Sequence, residues 1–162
     1  MGKAALKTMT QDQINLTISY LKRALYSEVV AITAYRNSLA IIKGKALDDM
    51  EDIIEANMKE EYIHVEELTA RLNELEAGDE HIIVDPAKLN EYSPDEYKNP
   101  TSGNTEYLGK YNQDYEVGAV AFYLEAYNAV KDFDPITASL FRDTAGDEAR
   151  HEQGLVDVLT EF

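Results

Sequence analysis

Residues 58–68 read Met-Lys-Glu-Glu-Tyr-Ile-His-Val-Glu-Glu-Leu, and residues 145–155 read Ala-Gly-Asp-Glu-Ala-Arg-His-Glu-Gln-Gly-Leu. Each stretch holds Glu-x-x-His, preceded by an acidic residue and followed four positions later by Leu. A Glu and a His three residues apart lie on one face of a helix. That face is otherwise apolar around Glu61, where Met50, Ile54, Leu68, Leu72 and Leu75 recur at helical spacing. A carboxylate in such a stripe needs a counter-charge when it is buried, and too few basic residues lie on the stripes to supply one.

Working outward, the apolar periodicity predicts four helices, at about 11–43, 47–76, 105–132 and 135–161. Thr10 and Gln13 stand at capping-box spacing before the first, and Gly44 is its expected stop. The second is expected to end near Gly78. Gly109 allows the third to begin as late as Tyr111. Asp134 and Pro135 open the fourth as N-cap and first helical residue. Residues 77–104 hold three of the four prolines and form a crossover, with Ile82, Ile83 and Val84 expected to pack. A helix of about 30 residues is about 45 Å long, a distance that about 14 extended residues can retrace. The crossover can therefore run back along the bundle. The expected architecture is all-α: a four-helix bundle made of two antiparallel hairpins joined by a long crossover, as one domain over 1–162.

The halves repeat. Glu28-Val-Val-Ala-Ile-Thr-Ala-Tyr35 in the first helix matches Glu116-Val-Gly-Ala-Val-Ala-Phe-Tyr123 in the third. Residues equally far from a hairpin turn face each other, and the midpoint of 28 and 61 is 44.5 while that of 116 and 148 is 132. Both fall at or beside an expected turn, so Glu28, Glu61, Glu116 and Glu148 share one level. Glu125 fails the same test and lies two and a half turns from Glu116, on the opposite face. His81 sits in the crossover without such partners. Four carboxylates with His64 and His151 balance two divalent cations, and oxygen-rich ligation with one imidazole per metal suits iron or manganese.

Composition narrows the field. The 162 residues include no cysteine, which excludes disulfides, Cys-based zinc sites and iron–sulfur clusters. With 31 acidic and 15 basic residues the formal charge is −16, which argues against nucleic acid and anionic membranes as partners. No stretch has signal-peptide or membrane-span character, and a cytoplasmic location is expected.

The motif set resembles the ferritin-like di-iron carboxylate superfamily, nearest to a stand-alone rubrerythrin-like or bacterioferritin-like bundle. The resemblance implies that Glu28 with His64 and Glu116 with His151 each cap one metal while Glu61 and Glu148 bridge. It also implies that Tyr35 and Tyr123 hydrogen-bond ligand carboxylates or act in redox steps, and that Glu60 and Asp147 orient the histidines. Two iron ions are the implied cofactor, with manganese or a mixed pair as alternatives. Tyr62 stands where bacterioferritins carry a haem-binding Met, so no haem is expected. Only 11 residues follow His151, too few for the fifth helix of ferritin cages. No Cys-rich rubredoxin module is present, and Gln113 replaces the extra Glu of rubrerythrins. The implied activity is reduction of peroxide or dioxygen with oxidation of Fe(II), served by an external electron donor, in a homodimer. An iron-storing shell of many subunits and a di-iron hydroxylase are the competing readings.

Overall fold

The computed structural model describes residues 3–75 and 84–162. A 3-10 turn at Lys3–Thr8 leads into α1 (Gln11–Ile41), followed by α2 (Leu47–Glu74), a short α3 (Leu89–Tyr92), α4 (Thr105–Val130) and α5 (Pro135–Leu159). No strand is formed among the described residues. Helix starts follow local chemistry. The Thr10 hydroxyl accepts from the Gln13 backbone, and the Gln13 side chain accepts from the Thr10 backbone at 2.9 Å. Asn104 caps α4, which therefore begins at Thr105 and not at Tyr111. Asp134 caps α5, with Pro135 next. α2 has no side-chain cap and instead places Asp48 and Asp49 in its first turn, where the helix dipole favours negative charge.

The four long helices end about two residues earlier than the periodicity predicts, at Ile41, Glu74, Val130 and Leu159. After Ile41 the chain leaves the helix through an extended Ile42, before Gly44 adopts φ 121°. The expected stop at Gly78, and His81, Ile82 and Ile83, lie outside the described residues. Val84 packs against the larger core cluster. The rest of the crossover is more ordered than a bare loop, because tyrosines tie it to the bundle. The Tyr26 hydroxyl accepts from the Asp85 backbone at 3.0 Å, and Tyr111 donates to the Lys98 carbonyl at 2.6 Å. Gly103 passes so close to the end of α1 that a Cβ there would lie 2.2 Å from the Ile41 carbonyl oxygen.

α1 packs with α2 and α4 with α5, as two hairpins, and α1 also packs along α4. Apolar residues gather in two clusters. The larger holds Leu21, Leu25, Leu68, Leu72, Phe122, Tyr123 and Phe141. The smaller holds Tyr35, Met50, Ile54 and Leu155. The first lies toward the α1 start and α2 end, the second toward the opposite end of the bundle, and the acidic level found in the sequence falls between them. No described helix is long and apolar enough to cross a membrane.

Candidate metal centre

Glu28 of α1, Glu61 and His64 of α2, Glu116 of α4, and Glu148 and His151 of α5 are all buried, none more than 2% exposed. Their donor atoms converge. Glu28, Glu61, His64 and Glu148 each offer one atom within 4.8 Å of the others, and so do Glu61, Glu116, Glu148 and His151. The two sets share Glu61 and Glu148. Nδ1 of His64 lies 2.9 Å from Glu61, 3.4 Å from Glu148 and 3.5 Å from Glu28. Nδ1 of His151 lies 3.1 Å from Glu61, 3.2 Å from Glu148 and 3.7 Å from Glu116. Glu125 is exposed and accepts from Tyr20, away from the cluster.

Outer contacts fix this arrangement by crossing between halves. Nε2 of His64 donates to Asp147 of α5, and Nε2 of His151 donates to Glu60 of α2, each at 3.0 Å. Both imidazoles thus turn Nδ1 inward, the orientation that a carboxylate behind a metal-binding histidine enforces. Arg150 then ties the two outer carboxylates together, 2.5 Å from Asp147 and 3.3 Å from Glu60. Partial burial would raise these two carboxyls. His151 and Arg150 instead hold Glu60 below its usual range, and Arg150 and His64 do the same for Asp147. The tyrosines cross too: Tyr35 donates to Glu116, and Tyr123 donates to Glu28. The two bonds are equivalent under the repeat, since Tyr35 follows Glu28 and Tyr123 follows Glu116 by the same seven residues.

Burial shapes the charge. It raises Glu61 and Glu148 well above the usual carboxyl range, and the neighbouring carboxylates add to the shift. Burial would raise Glu28 as well, but contacts with His64, Glu61 and Tyr123 outweigh it and hold that carboxyl low. Burial would lower both histidines, yet the surrounding carboxylates drive them strongly upward. Burial followed by carboxylate charge keeps both tyrosines protonated far above their ordinary range. Without a metal, protons supply the positive charge that this level needs.

One feature is left over. Oε2 of Glu28 and Oε2 of Glu116 are buried with no hydrogen-bond partner. Orphaned buried acceptors are rare because each costs about 1 to 3 kcal/mol or more when charged. One belongs to each converging set, on the glutamate that only that set contains. The donor set of carboxylate oxygens and imidazole nitrogens, with no sulfur, suits a pair of hard or borderline divalent cations.

Sequence reasoning missed a second buried polar group. Arg71, 1% exposed, donates from Nε to Thr137 at 2.8 Å, and its terminal nitrogens contact Glu74 at 2.8 Å and Asp134 at 3.0 Å. Asp134 caps α5 as well, so this cluster clamps the end of α2 to the α4–α5 turn. The signal was an Arg inside the Leu68–Leu72–Leu75 stripe.

An antiparallel four-helix bundle with a long crossover and a buried carboxylate–histidine cluster between its cores defines the ferritin-like di-iron-carboxylate class. The chain belongs to the ferritin-like domain family, whose pattern matches residues 18–162. A bacterioferritin-related protein from Bacteroides fragilis, described as a dodecameric thioferritin, superposes with TM-score 0.87 at 26% identity, over 98% of this chain and 91% of that one. Dps from Thermosynechococcus elongatus gives 0.81 at 16% identity, over 92% and 95%. A ferritin-like di-iron-carboxylate protein from Bacillus anthracis gives 0.73 at 16%, over 93% and 99%. The last two likenesses speak for the fold alone. No curated protein sequence matches the chain.

Proposed function

We propose that this chain is a di-iron oxidoreductase that oxidises Fe(II) with peroxide or dioxygen. Glu28 and His64 would hold one ion and Glu116 and His151 the other, with Glu61 and Glu148, which belong to both converging sets, available to each. The observation that carries this reading is the pair of buried oxygens on Glu28 and Glu116, one in each converging set, that accept no hydrogen bond and have an imidazole nitrogen 3.5 and 3.7 Å away. Bound there, two ferrous ions supply two electrons to one O–O bond.

The chain's own groups supply positioning and proton control. Asp147 and Glu60 hold the imidazoles with Nδ1 inward, and Tyr35 and Tyr123 each steady one oxygen of a terminal carboxylate, leaving the other oxygen for the cation. Protons held on Glu61, Glu148 and the two histidines leave as cations enter. The apolar clusters on either side exclude water from the level between them. A cytoplasmic protein drawing electrons from an external donor completes the reading.

Rapid mixing of anaerobically Fe(II)-loaded protein with peroxide or with dioxygen tests it. The expected result is oxidation of both ions, faster than free Fe(II) under the same conditions. Oxidation no faster than that of free Fe(II), with either oxidant, contradicts the reading.

A second reading concerns assembly. Likeness along 98% of the chain to a protein described as dodecameric favours a closed multi-subunit shell that sequesters iron over the homodimer expected from sequence. Light scattering separates them: about 220 kDa for twelve copies of the 18.3 kDa chain against about 37 kDa for two.

A further inference from the structure

Tyr123 and Tyr35 occupy matching positions, but their surroundings differ. The ring of Tyr123 lies 5.4 Å from that of Phe122 in an edge contact, and Phe122 lies 6.2 Å from Tyr20 at the bundle surface. Tyr20 is only half-buried, and its hydroxyl donates to the exposed Glu125 at 3.3 Å. The Arg23 guanidinium sits over both outer rings, 5.3 Å from Tyr20 and 5.1 Å from Phe122. The repeat that relates the two halves, a shift of 88 residues between α1 and α4, replaces Phe122 by Ala34 and Tyr20 by Leu108. Tyr35 accordingly packs with Met50, Ile54 and Leu155, and among the described residues no ring lies against it as Phe122 lies against Tyr123.

We propose that Tyr20 is the surface end of a one-electron path that runs through Phe122 to Tyr123 and so into the centre. This rests on the di-iron reading above and names the entry point for its reductant. Each end of the path pairs a phenol with a carboxylate, so the proton has a place to go whenever the electron moves. Once a first peroxide has taken the two electrons of the ferrous pair, a second peroxide draws on this path: Tyr123 loses one electron inward and its phenolic proton passes to Glu28. Tyr20 then reduces Tyr123 across Phe122. Glu28 returns its proton to Tyr123, and the Tyr20 proton moves to Glu125. An external one-electron donor reduces Tyr20, and Glu125 returns the proton. Two such passages deliver the two electrons that, with two protons from water, convert one peroxide to two waters.

The donor class follows from charge. Arg23 and Lys22 line a surface cavity of about 610 Å³ with Tyr92, and Lys22 lies 3.9 Å and Lys88 5.7 Å from the Tyr92 ring. Glu91 also lines this cavity. On a chain of net charge −16 this is a local concentration of positive charge, and it favours a small anionic reductant.

The test uses the full chain loaded anaerobically with Fe(II), mixed with peroxide in excess over one per pair of ions and freeze-quenched for electron paramagnetic resonance, with ascorbate as the anionic donor. Wild type should show a tyrosyl signal that narrows when ring-deuterated tyrosine is incorporated and that ascorbate quenches. Tyr20→Phe should keep the signal, now confined to Tyr123, and slow its quenching at least tenfold. Tyr20→Trp, which restores an oxidisable ring, should recover fast quenching. Phe122→Leu should slow quenching as Tyr20→Phe does. Tyr123→Phe should abolish the signal, and Tyr35→Phe should retain one that ascorbate still quenches. Equal quenching in wild type and Tyr20→Phe overturns the path, as does a signal lost only in Tyr35→Phe or peroxide consumption without any tyrosyl signal. Protein that binds iron and oxidises it with neither peroxide nor dioxygen overturns the di-iron reading together with this one, so the two failures are distinct.

Discussion

Helices α1 and α2 bring Glu28, Glu61 and His64 to one level, and α4 and α5 bring Glu116, Glu148 and His151 to the same level. Each half donates a histidine hydrogen bond to the other half's outer carboxylate and a tyrosine hydrogen bond to the other half's lone glutamate. One helical turn away the likeness stops. Asn57 of α2 donates to the Tyr35 oxygen at 3.1 Å, whereas its counterpart Thr144 of α5 turns its hydroxyl onto the Leu140 carbonyl. Asn112 of α4 donates to Ser38, and the matching residues on the other side are Ala24 and Ala126. Arg71 is buried at the end of α2, where α5 has Val158. The comparison separates two regions. The donor atoms of the centre are two-fold equivalent, and the residues beyond them diverge, toward the buried amides of Asn57 and Asn112 at one end and toward aromatic rings with a buried Arg71 at the other.

The largest effect should come from breaking what the halves share. Glu61→Ala and Glu148→Ala should each reduce binding from two Fe(II) per chain to one or none, measured by anaerobic equilibrium dialysis. If one variant keeps both ions while the other loses them, the bridging equivalence is wrong.

Next in size is Arg71→Ala, which belongs to one half only. It leaves Asp134 buried without its partner and should cost about 3 to 5 kcal/mol in denaturant unfolding. Val158→Ala at the matching place should cost clearly less.

Smaller still is the contrast between Tyr35→Phe and Tyr123→Phe in the metal-free protein. Each removes a donor to a buried carboxylate and should destabilise by about 1 to 3 kcal/mol. Only Tyr35→Phe also strips Asn57 of an acceptor, so it should be the worse of the two by thermal melting. Smallest is Glu125→Ala, expected within about 0.5 kcal/mol of wild type in stability and unchanged in iron stoichiometry. A lost ion in that variant would mean that the face assignment is wrong.

These differences also mark what the sequence made legible. The six buried residues stood out because Glu and His occupied positions in stripes of Leu and Ile, and hairpin midpoints could test them since each hairpin joins neighbours in the chain. The crossed tyrosine bonds were not visible that way. They depend on the register between α1 and α4, which the crossover sets, and no midpoint rule reaches across a connection of that length. The end of α1 was overrun by about two residues because Ile42 continues the apolar pattern while its backbone is already extended. Arg71 escaped notice because its partner Asp134 reads fully as an N-cap, a role it also fills. Asp134 meets Arg71 only through the packing of the α4–α5 turn against the end of α2.

The central claim is a paired cation site built equally from both halves, and anaerobic titration with Fe(II) while following proton release tests it most directly. Two ions per chain should bind, with protons released as the raised carboxyls and histidines give way to the metal. Saturation at one ion, or two-ion binding that survives Glu61→Ala without change, would contradict it.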